Sequence, residues 1–153
     1  MRIYVDADSC PKPTREAILR AARRTGVEAV FLANRPIPGI EGPGILMEQC
    51  PSGEGAADDR MVEMAGPGDL GVTRDIPLAA RLVENAITVV DDRGRTYSRE
   101  NIRERLSLRD FMVGLATSGM GPVRTDSYGK KELKAFADGF DRELSRLLKA
   151  HTQ

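Results

Sequence analysis

Ile3-Tyr4-Val5-Asp6-Ala7-Asp8-Ser9-Cys10-Pro11 is an apolar, β-favouring triplet that runs into two carboxylates and then a proline. The triplet predicts a buried strand. Pro11 and Pro13 suit a loop and the first turn of a helix. Ala17, Ile18, Ala21 and Ala22 then recur at helical spacing. Strand, acidic loop and helix form the first unit of an open α/β sheet, where ligands bind outside the carboxyl ends of strands. Two acids at that edge repel each other and attract a cation. Hard ions such as Mg²⁺ or Mn²⁺ take oxygen ligands of this kind. The competing reading has Asp8 or Ser9 cap the helix and Asp6 end a strand in solvent.

Outward from this stretch the pattern repeats. The first helix should run from near Lys12 or Thr14 to Arg24, with Gly26 as its stop. Val27–Ala33 reads as a second strand and Ile45–Met47 as a short third, separated by a Pro/Gly loop over Asn34–Gly44. A helix over Ala56–Ala65 ends at Gly66-Pro67-Gly68. Asp69–Thr73 is a fourth strand, followed by a helix from Ile76 or Pro77 to about Asn85, and Ile87–Val90 is a fifth. Asp91-Asp92-Arg93-Gly94 then makes a turn. The alternation predicts an α/β fold, a three-layer α/β/α sandwich around a mostly parallel five-stranded sheet, with C-terminal helices. Ser98 or Ser107 could N-cap the next helix. The final helix carries Leu133, Phe136, Ala137, Phe140, Leu144, Leu147 and Leu148 on one face, which reads as core. Gly139 within it costs about 1 kcal/mol relative to alanine.

At 153 residues the chain is one domain, divided here into a core over 1–118, a linker over 119–129 and a packing helix over 130–150. Hydrophobic content of 41% and charged content of 30% describe an ordinary globular protein. Net charge is zero, so any nucleic-acid surface must be local. No signal-peptide pattern follows Met1, no apolar run reaches membrane-spanning length, and two cysteines suit a reducing compartment, so the expectation is a cytoplasmic protein without a membrane partner. His151 is the only histidine. That removes HExxH chemistry and argues against a Ser-His-Asp or Cys-His site. Carboxylates, arginines, hydroxyls and a metal remain.

Three acidic positions belong together: Asp6 with Asp8 after the first strand, Asp58 with Asp59 at a helix start, and Asp75 after the fourth strand. Strand ends and helix starts share one edge of a parallel sheet, so these carboxylates can converge. One or two divalent cations would relieve their repulsion, activate water and stabilise the transition state of phosphodiester cleavage. Singly, Asp58 and Asp59 also suit a helix N-terminus, and Asp75 suits a cap. A phosphodiester needs basic contacts. Arg93, Arg95, Arg99, Arg103, Arg105 and Arg109 face only two glutamates in that stretch, and Arg35 and Arg74 could reach the same edge. A solvated, salt-bridged helix is the alternative. Only Tyr97 lies inside the arm for base stacking.

V-D-A-D-S-C-P at 5–11, A-D-D-R-M-V at 57–62, G-D-L-G-V-T-R-D-I-P-L-A at 68–79 and R-E-R-L-S-L-R-D-F-M at 103–112 resemble the YaiI/YqxD family of bacterial proteins. The likeness runs from the first strand to about Gly119, and the segment at 68–79 is its most specific part. That family is in turn similar to PIN-like and NYN nuclease domains, parallel α/β/α sandwiches with a metal-binding acidic cluster. The resemblance implies a Mg²⁺- or Mn²⁺-dependent nuclease acting on RNA rather than DNA, with Asp6, Asp58 and Asp75 as catalytic residues and metal ligands. Asp8 and Asp59 are secondary ligands, and Arg74, Arg93, Arg95, Arg99 and Arg103 are the substrate contacts. The sequence departs from the family at Asp91-Asp92, where an Asn-Pro-like turn is usual. Metal-bound water would be the nucleophile, oriented by Thr73 or Ser9. The rival enzyme is a haloacid-dehalogenase-like phosphatase, with Asp6-Ala7-Asp8 as nucleophile and acid, Thr73 as strand-end hydroxyl and Asp91-Asp92 as late acids. No lysine lies between Thr73 and Asp91 to support it. A third reading is a non-catalytic PIN-like module that binds RNA or protein. Cys10 is either a reactive thiol at a helix N-terminus or a small buried residue.

Overall fold

β1 (Arg2–Asp6) and β2 (Glu28–Ala33) are continuous apolar runs because both faces of their sheet are covered. A strand alternates its side chains, so Ile3, Val5, Ala29 and Phe31 enter one core while Tyr4, Val30 and Leu32 enter another. The first core is closed by α1 (Lys12–Thr25) and α5 (Lys130–His151), through Ile18, Ala22, Phe136, Phe140 and Leu144. The second is closed by α2 (Ala56–Met64), α3 (Ile76–Glu84) and the start of α4 (Arg99–Thr117), through Met61, Leu78, Leu82 and Ile102. This is the three-layer sandwich. The computed structural model describes residues 1–53, 55–117 and 127–152, so most of the linker expected over 119–129 lies outside the described residues.

The sheet has six strands in the order β3-β2-β1-β4-β5-β6, with β3 at Ile45–Gln49, β4 at Leu70–Val72, β5 at Thr88–Val90 and β6 at Thr96–Tyr97. All neighbours are parallel except β5 and β6. The chain therefore winds outward from β1 to β2 and β3, then returns to the other side of β1 with β4. The crevice between β1 and β4 is the topological switch point at which such sheets bind ligands.

The expected five strands miss β6, which is two residues long and gives no periodic signal. It pairs Val89 with Tyr97 and Val90 with Thr96 across the Asp91–Arg95 turn. Two expected strand ends are shorter for local reasons. Asp69 accepts from the Arg2 and Gly66 backbone N–H groups, and the Ile87 N–H donates back to the Leu82 carbonyl at the end of α3. Of the two serines considered as caps, Ser98 is used: its hydroxyl accepts from Asn101 N–H while the Asn101 side chain accepts from Ser98 N–H. Ser107 lies inside α4.

Gly139 has a packing reason. A Cβ there would collide with the backbone of Gly94, and a Cβ on Gly94 would collide with the Ala135 carbonyl. α5 thus sits directly on the Asp91–Arg95 turn, where Gly94 also adopts φ 79°. In an exposed helix Gly→Ala would stabilise by about 1 kcal/mol. Here Gly139→Ala should destabilise by about 1–3 kcal/mol through overpacking. Thermal unfolding decides it: a variant melting at or above wild type would refute this close approach.

Candidate functional site

β1 ends in Asp6, which is 7% exposed. Its Oδ2 accepts from Ser9 Oγ at 2.7 Å and from Thr73 Oγ1 at 2.8 Å. Ser9 comes from the 3₁₀ turn Ala7–Ser9, and Thr73 follows β4, so the second bond spans the switch point. Thr73 Oγ1 in turn accepts from Asp75 N–H at 3.0 Å. Asp75 is the N-cap of α3, its Oδ1 accepting from Leu78 N–H at 3.1 Å. Ser9 and Thr73 thus hold a carboxylate.

Asp58 lies in the first turn of α2, which starts after Gly55 in the left-handed region. Burial pushes its carboxyl up to about 6, and the negative charges of Asp6 and Asp75 push the same way, against Arg81. Asp6 is also raised, mainly by burial, with Asp75 and Asp8 adding to it and the two hydroxyls opposing. Asp6, Asp58 and Asp75 are therefore one electrostatic group, drawn from the ends of three elements. None of them has a salt-bridge partner among the described residues.

Their sequence neighbours are engaged elsewhere. Asp8 accepts from Asn34 N–H at 2.8 Å and stands 4.0 Å from Arg35, which ties it to the Pro/Gly loop. Asp59 pairs with Arg81 at 2.9 Å. Arg74 points to Asp92, with 3.5 Å between Nη1 and Oδ2. Among the described residues no three His, Cys, Asp or Glu side chains are grouped closely enough to ligate one ion. The five carboxylates considered as ligands are thus not a closed cage. Their chemistry does fit a hard cation held by one or two carboxylates and water, the usual state of Mg²⁺. The acids are oxygen donors only, mutually repelling, and Asp58 has no hydrogen-bond partner among the described residues.

The arginines divide into two groups. Arg74, Arg93, Arg95, Arg105 and Arg109 line a cavity of about 800 Å³ between the β5–β6 turn and α4. Arg99 and Arg103 line a different one between α3 and α4, and Arg99 reaches the Glu84 carbonyl. The expected single arm is split because residues 99 and 103 are one helical turn apart, as are 105 and 109.

Asp91 and Asp92, read from sequence as turn residues, are 1% and 3% exposed. Asp91 accepts from the backbone N–H groups of Arg93 and Arg95 and pairs with Arg95 Nε at 2.9 Å. Tyr128, whose hydroxyl accepts from Thr14 and donates to the Asp92 carbonyl, gave no signal in sequence. Cys10 is buried and its thiol is pushed up to about 12, chiefly by desolvation, which removes the reactive-thiolate reading.

Fold and site together define a mostly parallel α/β protein with an anionic switch-point crevice beside a cationic cavity. The chain belongs to the family described as "Uncharacterized BCR, YaiI/YqxD family", whose profile matches residues 4–146. It is 46% identical over 149 residues to a UPF0178 protein of Treponema pallidum, covering 97% of this chain and 84% of that one. It is 44% identical to a UPF0178 protein of Myxococcus xanthus, covering 97% of both. No solved structure matches. Among the described residues no helix is long and apolar enough to cross a membrane.

A carboxyl raised in the folded state favours folding below its unfolded pKa, and that contribution is lost as pH rises through the folded value. For Asp58 the window runs from about 4 to about 6. Asp58→Asn should therefore match wild type near pH 4 and melt higher at pH 8, by at most about 4 °C after solvent screening. Equal melting temperatures at pH 8, measured in EDTA, would remove the repulsion argument.

Proposed function

We propose that the chain is a metal-dependent phosphodiesterase of the ribonuclease type, related in design to PIN-like and NYN domains and working at the crevice between β1 and β4. The observation that carries this reading is the distribution of charge pairs. Arg35, Arg74 and Arg81 stand within ion-pair distance of Asp8, Asp92 and Asp59, while Asp6, Asp58 and Asp75 form no salt bridge among the described residues and only Arg81 offsets the charge of Asp58 from a distance. A buried Asp6 beside two half-buried acids is an unfavourable grouping that a purely structural site would pair or replace. Carboxylates left without an ion pair are suited to Mg²⁺ or Mn²⁺.

Asp6 or Asp58 would hold the ion with water filling the other positions, and Asp75, whose Oδ1 caps α3, would add its charge from the next position. Bound there, the ion would lower the pKa of a water and polarise a phosphoryl oxygen. Ser9 and Thr73 fix the Asp6 carboxylate through two hydroxyl donors, so its other oxygen is presented without rotation. Thr73 also sets the Asp75 backbone, linking two of the three acids. No histidine is near, so these residues bind and orient and none is a conventional base. Arg74, Arg93 and Arg95 would take the phosphodiester on the neighbouring side, with RNA preferred over DNA as the substrate. Two unpaired cysteines are consistent with a reducing cytoplasm as the place of work.

Titration of Mn²⁺ into wild type, Asp58→Asn and Asp6→Asn, beside cleavage of a mixed RNA pool, tests this. Asp58→Asn should lower Mn²⁺ affinity at least tenfold and remove Mn²⁺-dependent cleavage. Wild-type affinity should also rise as pH passes about 6, where Asp58 ionises. Absence of Mn²⁺ binding by wild type at pH 8 would end the proposal.

A further inference from the structure

The cavity between the β5–β6 turn and α4 is a built site. Three of its arginines are held by buried carboxylates: Arg95 by Asp91 at 2.9 Å, Arg93 by Asp92 at 3.4 Å and Arg74 by Asp92 at 3.5 Å. Asp91 and Asp92 have side chains only 2% and 4% exposed, so each is an expensive group to bury. Their burial fixes the arginine heads in place, which lowers the ordering cost of any ligand. Arg93 and Arg105 are further fixed over the rings of Tyr128 and Tyr97, at 5.9 and 5.5 Å from the ring centroids. Five arginines line the cavity against two aspartates, leaving an excess of positive charge.

The α4 wall is mixed, with Leu108 and Met112 beside Arg105 and Arg109. Leu108 and Met112 on α4 line the cavity and are 58% and 40% exposed, in a helix whose first half packs into the core. Fixed guanidinium groups beside exposed apolar side chains suit an anion with a flat apolar body. The volume of about 800 Å³ is within the ordinary range for small-ligand sites.

We propose that this cavity binds a nucleotide, with its phosphate on Arg74, Arg93 and Arg95 and its base against Leu108 and Met112. The choice of a nucleotide over other amphipathic phosphates rests on the phosphodiesterase reading; the binding geometry does not need a metal. Because Arg74 directly precedes Asp75, a nucleotide bound here would set the chain entering the acidic crevice.

Calorimetry with AMP, inorganic phosphate and adenosine, at low salt in EDTA, tests the proposal. AMP should bind at least tenfold tighter than either phosphate or adenosine. Met112→Ser, a neutral change at a position 40% exposed, should weaken AMP at least fivefold and leave phosphate unchanged. Arg95→Lys, which keeps the charge but loses the guanidinium fork, should weaken both. No heat with AMP, or AMP and phosphate binding alike, would overturn it. Asp58→Asn should bind AMP as wild type does. AMP binding retained in a protein that never responds to Mn²⁺ would uphold this site and overturn the phosphodiesterase reading alone.

Discussion

A carboxylate buried at the carboxyl end of the central strand is the constraint around which this fold is arranged. Asp6 sits where the winding direction of the sheet reverses, the one place in an open α/β sheet where neighbouring strands leave a crevice. Burying it without a cation is unfavourable, and the chain offsets this with hydroxyls from two directions. Ser9 reaches it from its own 3₁₀ turn and Thr73 from across the crevice. The Thr73 bond also sets Asp75, and Asp75 starts α3. One polar chain therefore ties β1 to β4 and to the helix covering the second core.

A second buried polar group organises the far edge. Asp91 gathers two backbone N–H groups and one guanidinium inside a four-residue span, closing a turn tight enough for α5 to lie on Gly94. The two-residue strand β6 exists because that turn brings Thr96 and Tyr97 back beside β5. The same turn presents Arg93 and Arg95 to solvent with their heads already paired. Packing of the last helix and placement of the cationic cavity thus depend on one aspartate.

Much of this was legible in the sequence, and the parts that were not have physical causes. Ile3–Val5 and Val27–Ala33 read as strands from their apolar, β-favouring residues, and the alternation of strands with helices made the sheet mostly parallel. The edge location of Asp6, Asp58 and Asp75 followed from strand ends and helix starts lying on one side. Which acids were paired did not follow, since Asp8 and Asp59 are as acidic as their neighbours and only geometry gives them Arg35 and Arg81. Gly139 looked like a helix defect because its reason lies 45 residues away at Gly94. The split of the arginines was readable: 99 with 103 and 105 with 109 are one-turn pairs, and the offset between them turns each onto a different face of α4.

Arg74 and Asp75 show how the two charged regions remain distinct although they touch. Adjacent residues leaving a strand end point in different directions, so Asp75 turns to cap α3 while Arg74 turns to Asp92. Had Arg74 folded back over Asp6 or Asp58, it would have neutralised the crevice and removed any reason for a cation to enter. Buried Asp92 prevents this by standing within ion-pair distance of Arg74, which Asp6 and Asp58 do not. Its Oδ2 has no hydrogen bond of its own, so the Arg74 guanidinium is its compensation. Asp6 stays without an ion pair because the buried Asp92, in the turn after β5, takes the arginine beside it.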